Sequence, residues 1–163
     1  MKKALSSKLK LLFGAVAFMA AAPNVYGAAL DITDSRSNEK LACVELAADE
    51  FALTFIHSVS LTPVEDIYKI YKVSPDAFAI RQLEERFITH GQGLPSMDGE
   101  PDAKRFVRQD GTFILYLDRP IHDLIVRLDS RFKNRLDVGS SVINLNQWPD
   151  FSGVRLAPRK DCH

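Results

Sequence analysis

Arg105-Phe106-Val107-Arg108-Gln109-Asp110-Gly111-Thr112-Phe113-Ile114-Leu115-Tyr116-Leu117 is the stretch that decides the fold. Two runs rich in β-branched and aromatic residues flank Asp110-Gly111, a pair that readily takes the positive φ of a tight hairpin turn. Working outward, the rest of the chain repeats this grammar of short apolar runs and turn residues. Phe51 to Val59 places Phe51, Leu53, Phe55, His57 and Val59 on one parity, the pattern of a half-buried strand. Leu41 to Leu46, Asp66 to Val73 and Phe78 to Thr89 read as further strands, with Ser74-Pro75-Asp76 turning the last two. Leu124 to Leu128, Ser141 to Leu145 and Val154 to Leu156 continue the series, with a turn at Asp137 to Ser140. No stretch keeps a helical period and no internal repeat is present. The pattern predicts one all-β domain, an antiparallel β-sandwich or partly closed barrel, over residues 41–163.

The N-terminus has a different composition. Lys2, Lys3, Lys8 and Lys10 precede the uncharged apolar run Leu11 to Ala22, and Pro23-Asn24 breaks it before the small residues Gly27, Ala28 and Ala29. That is the pattern of a secretory signal peptide over residues 1–27, cut before Ala28 or one or two residues later. A membrane-spanning helix needs about 20 apolar residues, more than this run supplies, so the mature form is expected without a span, in the periplasm. Residues 28–40 read as a polar, mobile leader.

The full chain of 163 residues carries 21 basic and 21 acidic residues. Loss of the four leader lysines takes the mature charge to about −4. With no basic stripe, nucleic acid is not an expected partner. Cys43 and Cys162, an even pair in an exported chain, are expected first as a disulfide. Two free thiols and a lipidated Cys43 are the alternatives, the latter weakened by Lys40 and the charges before it.

Two segments carry candidate function. In the first, His57 falls on the apolar parity, next to Ser58, and Thr62-Pro63 breaks the strand before Glu65 and Asp66. An inward imidazole needs a partner, and either carboxylate could meet it across the ladder. Such a pair suits proton transfer or metal binding, or simply fixes strand register. Ser58 points to the opposite face from His57 and is no nucleophile for it. In the second, Gly91-Gln92-Gly93-Leu94-Pro95 follows His90. Its glycines permit positive φ, and its N–H groups could form an anion-binding nest. No metal-ligand spacing, nucleophile elbow or cofactor motif is present, and no cofactor is expected.

At these segments the chain resembles the bacterial family termed domain of unknown function 1850. The shared features are the histidine–serine–valine and threonine–proline–valine pattern, the glycine–x–glycine–leucine–proline loop, Asn134-Arg135-Leu136 and the Gly139 to Leu145 stretch. The resemblance runs from about Cys43 to Leu156. It departs where Asp66 stands in a position usually held by glutamate, and where Gln92 replaces alanine. It implies an exported accessory or binding protein of a TAXI-type TRAP solute transporter, contacting the solute receptor or the TRAP membrane subunits. The residues implied for binding are His57, Ser58, Thr62, Glu65, Asp66, Gly91, Gln92 and Gly93. The alternative is a periplasmic metal-binding protein or hydrolase using His57, Glu65 or Asp66, and His90.

Overall fold

The structure, a computed structural model, describes residues 28–89, 91, 93, 94 and 100–163. The expected signal peptide lies outside the described residues, as do His90 and Gln92.

Two antiparallel sheets pack face to face, so the chain is a sandwich and not a closed barrel. The larger sheet contains β3 (Glu50–Ile56), β4 (Pro63–Ser74), β5 (Ala77–Phe87), β6 (Ala103–Gln109), β7 (Thr112–Ile121), β9 (Arg135–Asp137) and β10 (Val142–Asn144). The smaller contains β1 (Ala29–Asp34), β2 (Lys40–Glu45), β8 (Leu124–Arg127) and β11 (Gly153–Arg159). Their strand orders are β10-β9-β3-β4-β5-β7-β6 and β2-β1-β11-β8. The Asp110-Gly111 hairpin joins β6 to β7, with Asp110 at φ 50° and Gly111 at φ 84°.

Residues 28–40 are not a mobile leader: they supply β1, which lies between β2 and β11 in the small sheet. The alternation that makes this a strand is short but complete. Leu30 and Ile32 are fully buried, while Asp31 meets Lys40 at 3.0 Å and Arg159 at 2.7 Å. Burial raises the Asp31 carboxyl, but its hydrogen bonds to Lys40 and Arg159, aided by their charges, outweigh this and hold it below the usual carboxylate range. A run of polar letters thus hides a strand whose buried-side neighbours are apolar and whose central charge, Asp31, is matched from both adjoining strands.

A disulfide joins Cys43 on β2 to Cys162 just beyond β11, with Cα atoms 5.6 Å apart and a sequence separation of 119. Closing so long a loop lowers the entropy of the unfolded chain by an amount worth at most about 4–5 kcal/mol.

The two sheets bury Leu30, Ile32, Val154 and Leu156 against Phe51, Tyr68, Ile70 and Ile80. Phe51 and Tyr68 stack with ring centroids 5.1 Å apart. A second apolar group, outside that core, stands further along the large sheet. There Phe87, Phe106 and Phe113 stack at 5.6–6.1 Å. Between the two groups the inward face turns polar.

Candidate functional site

The polar stretch follows from strand parity. Val64, Asp66, Tyr68 and Ile70 share the inward face of β4, and Asp66 stands opposite Glu85 on β5. A register shift between Gln82 and Glu84 lets both Gln82 and Glu85 face inward. Arg119 on β7, two residues from the core residue Ile121, completes a belt across three strands. Tyr68 Oη donates to Asp66 Oδ2 at 3.2 Å, Gln82 Nε2 to Asp66 Oδ1 at 3.1 Å, and Arg119 Nη1 to Gln82 Oε1 at 3.3 Å. Arg119 also pairs with Glu100, and with Asp102 at 3.7 Å. Burial pushes Asp66 up to about 6, against the pull of its hydrogen bonds from Tyr68 and Gln82 and the charge of Arg119. Burial, joined by the charges of Asp66 and Glu100, pushes Glu85 up to about 7. The Tyr68 phenol is raised by burial and by its charged neighbour.

His57 lies at the other side of this region, and its surroundings correct two expectations. β3 ends at Ile56, so the strand does not run on to Val59, which is 63% exposed. Residues 57–62 instead close on themselves: His57 N donates to Thr62 O, and Leu61 N to His57 O, each at 2.9 Å. The local hydrogen bonds hold Leu61 at φ 54° and override the apolar alternation.

The imidazole meets neither carboxylate. Glu65 is on the outer face, where Arg86 holds it at 3.1 Å, and Asp66 is occupied by Tyr68 and Gln82. His57 binds within its own turn. The Ser60 backbone N–H donates to Nδ1 at 3.2 Å, and Ser60 Oγ is 3.1 Å from Nδ1 and 2.8 Å from Thr62 Oγ1. A main-chain amide can only donate, so Nδ1 is the acceptor and the proton of the neutral ring sits on Nε2. That nitrogen faces the second sequence segment. A Cβ built on Gly93 would lie 3.2 Å from both Cε1 and Nε2, and Gly93 has φ 82°. Glycine is needed there twice, for the backbone angle and for the close approach.

His57 and Gly93 are therefore brought together. Gly91 closes the same loop by accepting from Leu94 N at 3.1 Å. Ser58 is exposed and Thr62 half-buried in the turn. Ser60, Tyr68, Gln82, Glu85 and Arg119 were not singled out by the sequence reading. Their signal was a set of polar residues on an otherwise apolar parity, visible once Val64, Tyr68 and Ile70 are assigned inward.

A cleft of about 330 Å³ opens between the sheets beside these residues. It exists because β9 covers β3 only from Ala52 to Thr54, leaving Phe55 and Ile56 paired with β4 alone, and because β8 is the edge of the small sheet. His57 and Ser58 lie along it together with Asp66 and Tyr68, and Arg127 and Arg135 also line it. Among the described residues no group of three or more His, Cys, Asp or Glu side chains is placed to hold a metal ion. No helix among them is long and apolar enough to cross a membrane.

Fold and site together define a class: a disulfide-closed antiparallel β-sandwich with a cleft between its sheets. The chain belongs to the family described as Domain of unknown function (DUF1850), whose model matches residues 51–145 and so spans both the His57 turn and the cleft. Neither the curated proteins nor the solved structures contain a match.

Proposed function

We propose that the chain is an exported, non-catalytic binding module that serves a TAXI-type TRAP solute transporter in the periplasm. The observation that carries binding is the cleft, which brings His57, Ser58 and Asp66 from the family-like segments to one apolar-lined opening. Its volume is in the range of small-molecule sites. The His57 geometry argues against a hydrolytic role. A base whose acceptor nitrogen is taken up by a main-chain amide has no free lone pair for a serine proton. No carboxylate orients Nε2 among the described residues. The assignment to an uptake system rests on the family resemblance, and the disulfide fits an oxidising compartment.

Co-purification tests the reading. The protein, extracted in detergent from cells expressing its transporter, is expected to carry the solute receptor or the TRAP membrane subunits with it. Absence of both, together with unimpaired solute uptake in a deletion strain, overturns it.

A further inference from the structure

Strand parity sorts the side chains along the cleft. Leu53 and Phe55 share the inward face of β3, and Leu53 stands opposite Asp66 of β4. Leu124 and Val126 share the inward face of β8 with their buried partners Leu156 and Val154. Arg127 alternates with Val126 and Arg135 with Leu136, so both guanidiniums leave from outer faces. Among the described residues, the charged strand residue that lines the cleft from its inner side is therefore Asp66.

That carboxylate is open to the cleft where its partners are not. Tyr68 and Gln82 are each 5% exposed, whereas Asp66 is only half-buried. Each of its oxygens accepts one hydrogen bond from the protein, at 3.2 Å from Tyr68 and 3.1 Å from Gln82. A carboxylate can accept about four, so Asp66 has capacity left for a donor arriving through the opening. Tyr68 Oη, which donates to Asp66, can itself accept from the same donor.

The charge around Asp66 is unbalanced. Asp31 in the small sheet meets two cations directly, Lys40 and Arg159. Asp66 and Glu85 form no ion pair among the described residues. Arg119 is engaged by Glu100 and Asp102, and reaches Asp66 only through Gln82. Glu85, opposite Asp66 on the ladder, brings a further carboxyl to the same place. An anion without a counter-charge in a poorly solvated site attracts a cation from outside strongly. Among the described residues no group of three or more His, Cys, Asp or Glu side chains is placed for a metal ion. A bare ion would also leave the apolar walls unused.

We propose that the cleft binds an alkylammonium ligand, its cationic head on Asp66 and its apolar body between Leu53, Phe55, Leu124 and Val126. An ammonium head carries several N–H donors, which suits a carboxylate and a phenol oxygen side by side. The apolar walls supply affinity and the carboxylate orientation, the usual division in a small-molecule site.

The proposal rests on the binding-module reading, and the experiment separates the two. Isotope-labelled protein, expressed from the full chain, is titrated with octylammonium, octanol and octanoate at pH 8, following the methyl signals of Leu53, Leu124 and Val126. Octylammonium is expected to shift them saturably and to bind at least about tenfold more tightly than the other two. Asp66→Asn is expected to remove that advantage and leave octanol unchanged, the octanol arm reporting an intact cleft. A second measurement needs no variant. Asp66 takes up its proton at about 6, so octylammonium is expected to bind about tenfold more weakly at pH 5 than at pH 8, with octanol unaffected. The other titratable groups around it are Tyr68 on its own strand, Glu85 on β5, Arg119 on β7, Glu100 and Asp102 before β6, and His57 in the turn after β3. In Asp66→Asn the remaining octylammonium affinity is expected to be equal at the two pH values.

Octylammonium binding no tighter than octanol, or as tight at pH 5 as at pH 8, overturns the proposal. So does an Asp66→Asn protein that keeps the octylammonium preference or its pH dependence, which would assign the effect to Glu85 or His57. Preference for octanoate in the cleft overturns it while leaving a binding module in place. If none of the three probes shifts the cleft methyl signals the alkylammonium assignment is wrong, and the binding reading then depends on the co-purification alone.

Discussion

The inward face of the large sheet has two halves built on one parity, and they differ in what lies over them. In one, Phe51, Tyr68, Ile70 and Ile80 meet Leu30, Ile32 and Leu156 of the small sheet and exclude water. In the other, Asp66, Gln82 and Arg119 of β4, β5 and β7 are bonded to one another and to the Glu100 end of the β5–β6 connection, with Glu85 opposite Asp66 on the ladder. Strand parity decides which side chains point inward. The covering layer decides whether those positions must be apolar. Tyr68 sits on the boundary, its ring stacked on Phe51 and its hydroxyl bonded to Asp66.

The largest expected effect falls on what holds the cover in place. Replacing Cys43 and Cys162 by alanine is expected to lower stability by about 4 kcal/mol in denaturant titration, since the bridge closes nearly the whole domain. A loss below about 1 kcal/mol would show that the β1–β11 pairing alone fixes the small sheet.

Next comes a cut into the dry half. Leu156→Ala, at a position 1% exposed, is expected to cost about 3 kcal/mol by the same measurement. A cost similar to that of a surface substitution would mean that the two sheets are not tightly packed there.

The polar half is expected to respond with the opposite sign, and only at higher pH. Asp66 and Glu85, at about 6 and about 7, hold their protons more tightly folded than unfolded. Their contribution to stability is complete below about pH 4, the unfolded range, and is lost as pH rises through 6 and 7. Glu85→Gln therefore leaves stability at pH 4 unchanged and raises it by about 1–2 kcal/mol at pH 8. Equal effects at both pH values would sink the assignment of a neutralised carboxyl.

The smallest effect is expected at the junction of the two candidate segments. Gly93→Ala strains a positive φ and presses on the His57 ring, costing about 1 kcal/mol. The His57 ring signals are expected to move while those of the Tyr68 ring stay in place; movement of both would mean that the turn and the belt are one unit.

Much of this arrangement was legible in the sequence, and the misses have physical causes. Asp110-Gly111 marked its hairpin because few residue pairs accept two positive φ angles in succession. The cysteine pairing followed from the expectation of export and from the even number. β1 was hidden because Asp31 and Asp34 look like leader residues; the charges that match Asp31 come from Lys40 and Arg159, the latter 128 positions away, while Asp34 accepts from the Arg36 and Ser37 amides of the turn that follows. His57 was placed on the inward parity of a strand that stops one residue earlier, because the bonds closing residues 57–62 leave no trace in apolar periodicity. The belt escaped notice because the register shift between Gln82 and Glu84 changes which β5 residues share a face. Its members look like ordinary surface charges until their strands are aligned. The cleft depends on where β9 ends relative to β3, a relation between elements about 80 residues apart that local pattern does not carry.

The position of β1 has a consequence for how the protein reaches this form. Ala29 aligns with Arg159 and Asp34 with Val154, so one of the first strands to be made is completed by the last. During vectorial synthesis β1 has only β2 as a neighbour, and a two-stranded ribbon is marginal in water. Leu30 and Ile32 stay partly uncovered until β11 arrives, a window in which such chains are prone to associate. Closure thus waits on the far end of the chain, and contacts this distant make for slow folding. Rapid oxidation of Cys43 would have no correct partner before then, so the order in which strands emerge also sets when the bridge can form.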